Sequence, residues 1–380
     1  MRRLYLDHNA SSPLRESARE ILQSWSLGNP GANPSSAHEE GRLARRALET
    51  ARERLASLIG CQPEELVFTS GGTESNTWAL SGWDSVAMLP VEHPSVLAPG
   101  KRSAHTTLLP LNAAHQVDLE LADPLLQSCQ IASVGLANHE TGSLQPVKAL
   151  ARQHSQRSWL LHTDASQALG RIPVSFQELG ADLMTLSSHK CGGPPGIGAL
   201  VLRQGTEHPA LILGGPQESS RRAGTESVLL AQLFCAATEE ALARHQEEKR
   251  TWNRFSNLLR KEIPKLDPAS IFISKTSDCL PNTLCVAFPG RPGPALVHRL
   301  DLEGVSVSHG SACASGSLEP SPVLEALGCP ETVSHSSLRV SFGHGHADRD
   351  AELFLERLKL TLDAVQVRTT TQKNSAGHEQ

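Results

Sequence analysis

The chain has 380 residues, 39% of them hydrophobic, with 35 Lys and Arg against 40 Asp and Glu, a formal net charge of -5. That length buries a large core and divides into two domains, and the mild negative balance gives no electrostatic reason for a nucleic-acid or anionic-membrane partner. No apolar run approaches the roughly 18 residues of a spanning helix, and Met1-Arg2-Arg3 leads into the strand-like Leu4-Tyr5-Leu6 instead of a signal segment, so a cytoplasmic location is expected.

The first clear element is a helix over 36–60, with a capping box Ser36-Ala37-His38-Glu39, an apolar stripe (Leu43, Ala47, Leu48, Ala51, Leu55, Leu58) and a closing Gly60. A short strand at 66–68 runs into the small-residue turn Ser70-Gly71-Gly72-Thr73-Glu74-Ser75 and further helical sequence. Short apolar runs follow at 86–89, 131–137, 159–162, 183–186 and 197–202, several of them separated by helix-length pieces. This alternation predicts an α/β fold with a mainly parallel central sheet covered by helices. A long helical stretch at 229–259 precedes a second region with elements at 284–288, 295–302 and 350–365, read as a smaller C-terminal α+β domain. The expected division is 15–258 for the large domain and 1–14 plus 259–366 for the small one, with the polar 367–380 as a disordered tail.

Eight cysteines (61, 129, 191, 235, 279, 285, 313, 329) contain no C-x-x-C pair, which argues for free thiols over a disulfide framework or a zinc site. Seven are read as small hydrophobes. Cys313 differs, because it stands in Ser308-His309-Gly310-Ser311-Ala312-Cys313-Ala314-Ser315-Gly316-Ser317, which offers almost nothing to bury and describes an exposed, mobile loop over 306–317.

Four polar segments fall where strands of one sheet end: Glu92-His93-Pro94, Asn138-His139-Glu140-Thr141-Gly142, Asp164-Ala165-Ser166-Gln167 and Ser187-Ser188-His189-Lys190. Ligand crevices form at such ends. An ammonium at Lys190 and a carboxylate at Asp164 are the pair a pyridoxal phosphate enzyme needs, one to form a Schiff base and one to keep the pyridine nitrogen protonated. The turn at 70–75 places small residues at a helix start, where backbone N–H groups can cradle a phosphate; it matches neither a Walker A loop nor G-x-G-x-x-G.

Together these motifs resemble the cysteine desulfurases of the NifS and IscS type, within the class V aminotransferase-like, fold type I pyridoxal phosphate enzymes. The resemblance runs from Tyr5-Leu6-Asp7 and Asn33-Pro34-Ser35-Ser36-Ala37-His38 through the turn at 70–76, Glu92-His93, Asp164-Ala165-Ser166-Gln167 and Ser187-Ser188-His189-Lys190. It continues through Arg222-Ala223-Gly224-Thr225-Glu226, Gly310-Ser311-Ala312-Cys313 and His335-Ser336-Ser337-Leu338-Arg339. It implies Lys190 as the Schiff-base lysine and proton shuttle, Asp164 on the pyridine nitrogen, Gln167 on the phenolic oxygen and His93 stacked on the ring. Gly72, Thr73, Ser187 and His189 would hold the phosphate, with Thr225 reaching it from the other subunit of a homodimer. Arg339 would grip the substrate carboxylate, and Asn33 is a further substrate-binding candidate. Cys313 would take the sulfur of L-cysteine as a persulfide, release L-alanine and pass the sulfur to an iron–sulfur scaffold or sulfur carrier. No metal is expected in the catalytic site, although the Cys313 thiolate can ligate an iron–sulfur cluster transiently.

The chain departs from the family pattern at four places. His139 replaces the second asparagine of Asn-Asn-Glu, which bonds the phenolic oxygen in the family, and is kept as a cofactor ligand. Pro195 replaces a lysine, Gly215-Pro216-Gln217-Glu218-Ser219-Ser220 is a degraded Gly-rich stretch, and His344 stands where arginine is common. The rival readings are another class V enzyme (a selenocysteine lyase or an aminotransferase) and a catalytically weak paralogue acting as a binding partner.

Overall fold

A computed structural model describes residues 2–28, 31–153, 157–274, 278–310 and 320–365. Cys313 and the tail beyond 365 lie outside the described residues.

In chain order the strands are β1 (Leu4–Tyr5), β2 (Leu66–Thr69), β3 (Ser85–Met88), β4 (His105–Leu108), β5 (Ile131–Ser133), β6 (Leu160–Asp164), β7 (Leu183–Ser187), β8 (Gly198–Leu202), β9 (Ile271–Phe272), β10 (Thr283–Ala287), β11 (Val305–Ser306) and β12 (Ser337–Ser341). Seven of them form the central sheet in the order β2-β8-β7-β6-β5-β3-β4. Strand β8 pairs antiparallel with both of its neighbours, while β7, β6, β5, β3 and β4 run parallel. The expected α/β fold with a mainly parallel sheet is therefore what forms. Mainly apolar stretches make these strands: every residue of the inner β5, β7 and β8, and of β2 at one edge, is buried. Helices on both faces cover such strands, which is why their sequences do not alternate.

Strand β4 was not expected. His105-Thr106-Thr107-Leu108 is mostly exposed at the sheet edge, so it carries no apolar run to find. The helix expected over 36–60 forms as Glu39–Ile59. His38, not Ser36, is its N-cap: the imidazole accepts from Gly41 N–H at 3.2 Å. The closing glycine is as expected, with Gly60 at φ 68° donating back to the last turn.

A second hydrophobic core gathers Leu4, Leu6, Phe288, Leu296, Leu338, Phe342 and Phe354 around a three-stranded sheet of order β12-β10-β9. The N-terminal strand enters it by parallel pairing with β11. Helix Val228–Leu266 spans both cores, giving Ala231, Phe234 and Cys235 to the first and Trp252, Phe255, Leu259 and Ile263 to the second. Position 258 thus lies inside a continuous helix. Among the described residues no two cysteines are joined by a disulfide. Among the described residues no helix is long and apolar enough to cross a membrane.

Candidate active site

Strands β7, β6, β5 and β3 are neighbours and parallel, so the segments following them emerge side by side at one edge of the sheet. One pocket there is lined by His93, His139, Asp164, Gln167, Ser187, His189 and Lys190, with Gly72 and Thr73 at one side and Arg339 reaching in from β12. The four polar strand endings anticipated from sequence converge in it.

Asp164, the last residue of β6, is fixed by two donors. Ser166 N–H donates to Oδ1 at 2.8 Å and Asn76 Nδ2 to Oδ2 at 2.8 Å. Burial alone would raise this carboxyl; the hydrogen bonds from Ser166 and Asn76 and the Lys190 ammonium outweigh it and hold it below the ordinary carboxylate value. An ionised acid therefore faces the pocket.

His93 caps helix Pro94–Gly100. Its Nδ1 accepts from Ser95 N–H at 3.1 Å and lies 2.7 Å from Ser95 Oγ. Burial, with Lys190 close by, pushes its pKa down to about 4, so the ring is neutral at pH 7 with Nδ1 as acceptor. The His139 ring meets it edge-on, with centroids 5.2 Å apart. Burial and the nearby His93, Lys190 and Arg339 drive His139 well below its ordinary value as well.

Arg339 is 2% exposed and is carried by the small sheet. Its Nη2 pairs with Asp7 Oδ1 at 2.7 Å and its Nη1 donates to the His139 carbonyl at 3.0 Å. Its Nε is buried without a partner. Two of five guanidinium N–H groups are thus used, and the rest are left for an anion.

Gln167 is held at both ends of its amide. Its Nε2 donates to Asn9 O at 3.0 Å, while Arg171 donates to its Oε1. Arg171 also reaches Asn9 Oδ1, the His8 carbonyl and the Lys190 carbonyl, and burial lowers its pKa to about 9.

At the other end, helix Gly72–Ala79 points its N-terminus into the pocket. A Cβ on Gly72 would sit 3.1 Å from Ser166 Oγ and 3.5 Å from Ser187 Cβ, so only glycine leaves the cradle open. Ser166 Oγ is buried with no partner. A helix start, an orphaned hydroxyl, Ser187 and His189 fit a phosphate. Asp164 fits a protonated ring nitrogen and Lys190 an aldehyde, so the residues present fit pyridoxal phosphate.

Two expected residues lie elsewhere. Asn33 and Thr225 line a separate groove with Trp25, Pro34, Leu43 and Glu226. Thr225 was expected to serve another subunit. Asn33 shares that groove, outside the pocket of its own chain, where the turn before helix Glu39–Ile59 packs toward residues 225–229. Sequence reasoning assigned no role to Asp7, Asn9, Asn76, Glu92, Ser166 or Arg171. A carboxylate directly after the apolar Leu4-Tyr5-Leu6 was the one available signal for Asp7. Glu92 is buried, accepts from Gly135 N–H at 2.6 Å, and is pushed up to about 8 by burial.

The comparisons with known proteins agree on one family. The class V aminotransferase model matches residues 4–354. The cysteine desulfurase IscS of Dictyoglomus turgidum is 37% identical, the match covering 95% of each chain. The cysteine desulfurase IscS of Methanosarcina thermophila is 35% identical over 93% of this chain and 90% of its own. The solved NifS-like protein of Rickettsia africae superposes with a TM-score of 0.88 at 30% identity, over 95% of this chain and all of that one. The chain belongs to the class V aminotransferase family of pyridoxal phosphate enzymes and, within it, to the cysteine desulfurases of the IscS and NifS type.

Proposed function

We propose that this enzyme takes sulfur from L-cysteine, releases L-alanine and carries the sulfur as a persulfide on Cys313. The observation that supports this most is the convergence of Lys190, Asp164, His93 and Arg339 on one pocket that also holds a phosphate-sized cradle. Pyridoxal phosphate, when bound, supplies a sink for the electron pair freed at the substrate Cα.

The chain's own residues do the rest. The start of helix Gly72–Ala79, with Ser166, Ser187 and His189, holds the phosphate, and Thr225 of a second copy completes it. Asp164, kept ionised, holds the proton on the ring nitrogen. Neutral His93 offers a flat face that brings no second positive charge beside Lys190. Lys190 anchors the cofactor and moves the proton taken from Cα. Arg339, already oriented by Asp7, uses its remaining N–H groups on the substrate carboxylate.

The Cys313 thiolate then attacks the substrate sulfur. An S–S bond forms, the Cβ–S bond breaks with its electron pair left on the substrate carbon, and protons returned through Lys190 complete alanine. A homodimer in the cytoplasm, delivering sulfur to an iron–sulfur scaffold or sulfur carrier, is the setting we infer.

The test compares wild type with Cys313→Ala on L-cysteine, measuring alanine and sulfide. Wild type should form alanine, and the variant should lose roughly 100-fold or more of it, the scale of removing an essential nucleophile or proton-transfer group. Alanine at the wild-type rate from Cys313→Ala would overturn the assignment and favour lyase chemistry that needs no thiol.

A further inference from the structure

His139 and Glu140 are consecutive, and both are almost fully buried, at 6% and 1% exposure. The turn that carries them is tightly built: Asn138 Oδ1 accepts from Glu140 N–H and Thr141 N–H, both at 2.9 Å, and the His139 carbonyl accepts from Asn9 and Arg339. Their backbone cannot drift. The side chains, however, leave two polar atoms without partners, His139 Nε2 and Glu140 Oε1. These atoms face each other at 3.7 Å.

That separation is too long for a hydrogen bond, yet each orphan costs roughly 1–3 kcal/mol while it stays unpaired. A side-chain adjustment of somewhat under 1 Å would join them, and water has little room to do so between two atoms both closed to solvent. The proton count then matters. If Glu140 is ionised, His139 must donate Nε2–H to it, which leaves Nδ1 as an acceptor. If Glu140 is protonated, its O–H donates to Nε2, which leaves Nδ1–H as a donor for the pocket. Burial favours the second arrangement from both sides, since it raises the carboxyl and lowers the imidazole, each toward its neutral form. The cations nearby act on both groups: Lys190 and Arg339 add to the preference for a neutral imidazole, while Arg339 pulls the carboxyl back toward its ionised form without overcoming burial.

The other Glu140 oxygen has its own partner. Ser321 Oγ donates to Oε2 at 2.5 Å, and Ser321 is also the N-cap of helix Pro322–Ala326. Across the same carboxyl, a Cβ on Gly310 would lie 3.9 Å from Oε2. Glu140 thus lies beside both Gly310 and Ser321, which are themselves neighbours, a Cβ on Gly310 falling 3.5 Å from Ser321 Cβ.

We propose that Glu140 is a positioning residue that pairs as a neutral acid with His139, fixing its Nδ1–H tautomer toward the pocket, while Ser321 holds the carboxyl in register. This rests on the cysteine desulfurase reading only for why a donor is useful there: the phenolic oxygen of pyridoxal phosphate is an acceptor. It gives the histidine at position 139 a partner that an asparagine, with its own N–H donors, would not need.

The tautomer is read directly by nitrogen NMR of the enzyme labelled with 15N-histidine, the His139 signals being those lost in His139→Asn. The expected result is an Nδ1–H imidazole that stays neutral between pH 6 and 9. Glu140→Gln should keep that tautomer, since an amide N–H replaces the acid O–H and the amide oxygen still accepts from Ser321. Glu140→Ala should move His139 toward Nε2–H. Ser321→Ala, which touches neither ring nor pocket, should shift the same signals less and in the same direction. An Nε2–H tautomer in wild type, or one that Glu140→Gln alone reverses, would overturn the proposal, because either result means an ionised Glu140. The signals require no turnover, so failure here is separate from failure to make alanine.

Discussion

The pocket has a floor and a rim of different origin. The floor is built from the ends of adjacent parallel strands: Asp164 on β6, Lys190 after β7, His93 after β3. Its defining contacts join elements of the large sheet and its helices, such as Asn76 to Asp164 at 2.8 Å. The rim comes from the second core. Arg339 on β12 is held by Asp7, 332 residues away in sequence, and Asp7 in turn accepts from Ser308 Oγ at 2.9 Å. On the proposed roles, proton and electron chemistry sits on the first of these layers and the grip on the substrate carboxylate on the second. A site divided in this way can hold its cofactor geometry fixed while the part that grips the substrate is adjusted separately.

The sharpest way to break this comparison is at the floor. Asp164→Asn keeps an acceptor for only one of the two donors, Ser166 N–H and Asn76 Nδ2, and removes the charge that the pocket is built to hold ionised. Alanine formation should fall by roughly 100- to 1,000-fold, the scale seen when one preorganised electrostatic group is removed. KM for L-cysteine should change little, because Asp164 is not placed against the substrate. At the rim the pattern should invert. Arg339→Lys replaces a planar fork with a point charge and should raise KM by about 10- to 100-fold, leaving the rate at saturation closer to wild type. Asp7→Asn keeps the arginine and loosens only its orientation, so a rise in KM of a few-fold is expected. If Arg339→Lys lowered kcat as much as Asp164→Asn does, the division into floor and rim would fail.

The floor was also the more legible half in the sequence. Buried parallel strands have no solvent face, so β5, β7 and β8 show as continuous apolar runs, and the polar residues ending them stand out. Strand β4 escaped notice because an edge strand with exposed His105 and Leu108 has no such run. The cap of the first long helix was misplaced because a Ser-x-x-Glu pattern begins two residues early, at Ser36, while His38 does the capping with its ring nitrogen. The rim was hidden for another reason. Asp7 and Arg339, like Glu140 and Ser321, meet only through tertiary contact, and neither pair is linked by any spacing rule. Asn33 lies in a groove shared with Thr225, a placement that no spacing rule announces.

The smallest expected effect concerns stability, and it follows from how many imidazoles the fold keeps neutral. Burial pushes His93, His162, His189 and His344 down to about 4, and holds His8 and His139 well below their ordinary value. In the unfolded chain each takes up a proton near pH 6.5, while in the folded chain the first four resist until about pH 4 and the other two also resist protonation well below 6.5. The unfolded state therefore binds more protons, and their contribution to stability is complete above pH 6.5 and is lost as pH falls toward 4. Glu92, raised to about 8, acts in the opposite sense: its contribution is present at low pH and is lost as pH rises through 8. His208, His245 and His346 are lowered too and Glu140 is raised, so nine imidazoles against two carboxyls set the net direction, and the urea midpoint of the cofactor-free chain should fall between pH 6.5 and 5. Each proton contributes at most about 1.4 kcal/mol per pH unit to that slope. His93→Gln should reduce the slope by up to one such unit, because a floor position no longer takes up a proton on unfolding. His346→Gln should do the same from the second core, where its ring meets Phe255 edge-on. If both variants flatten the slope equally, the two bodies unfold as one cooperative unit despite dividing the chemistry between them. If only one does, the acid transition belongs to that body alone, and the floor and rim are separate in stability as well as in function.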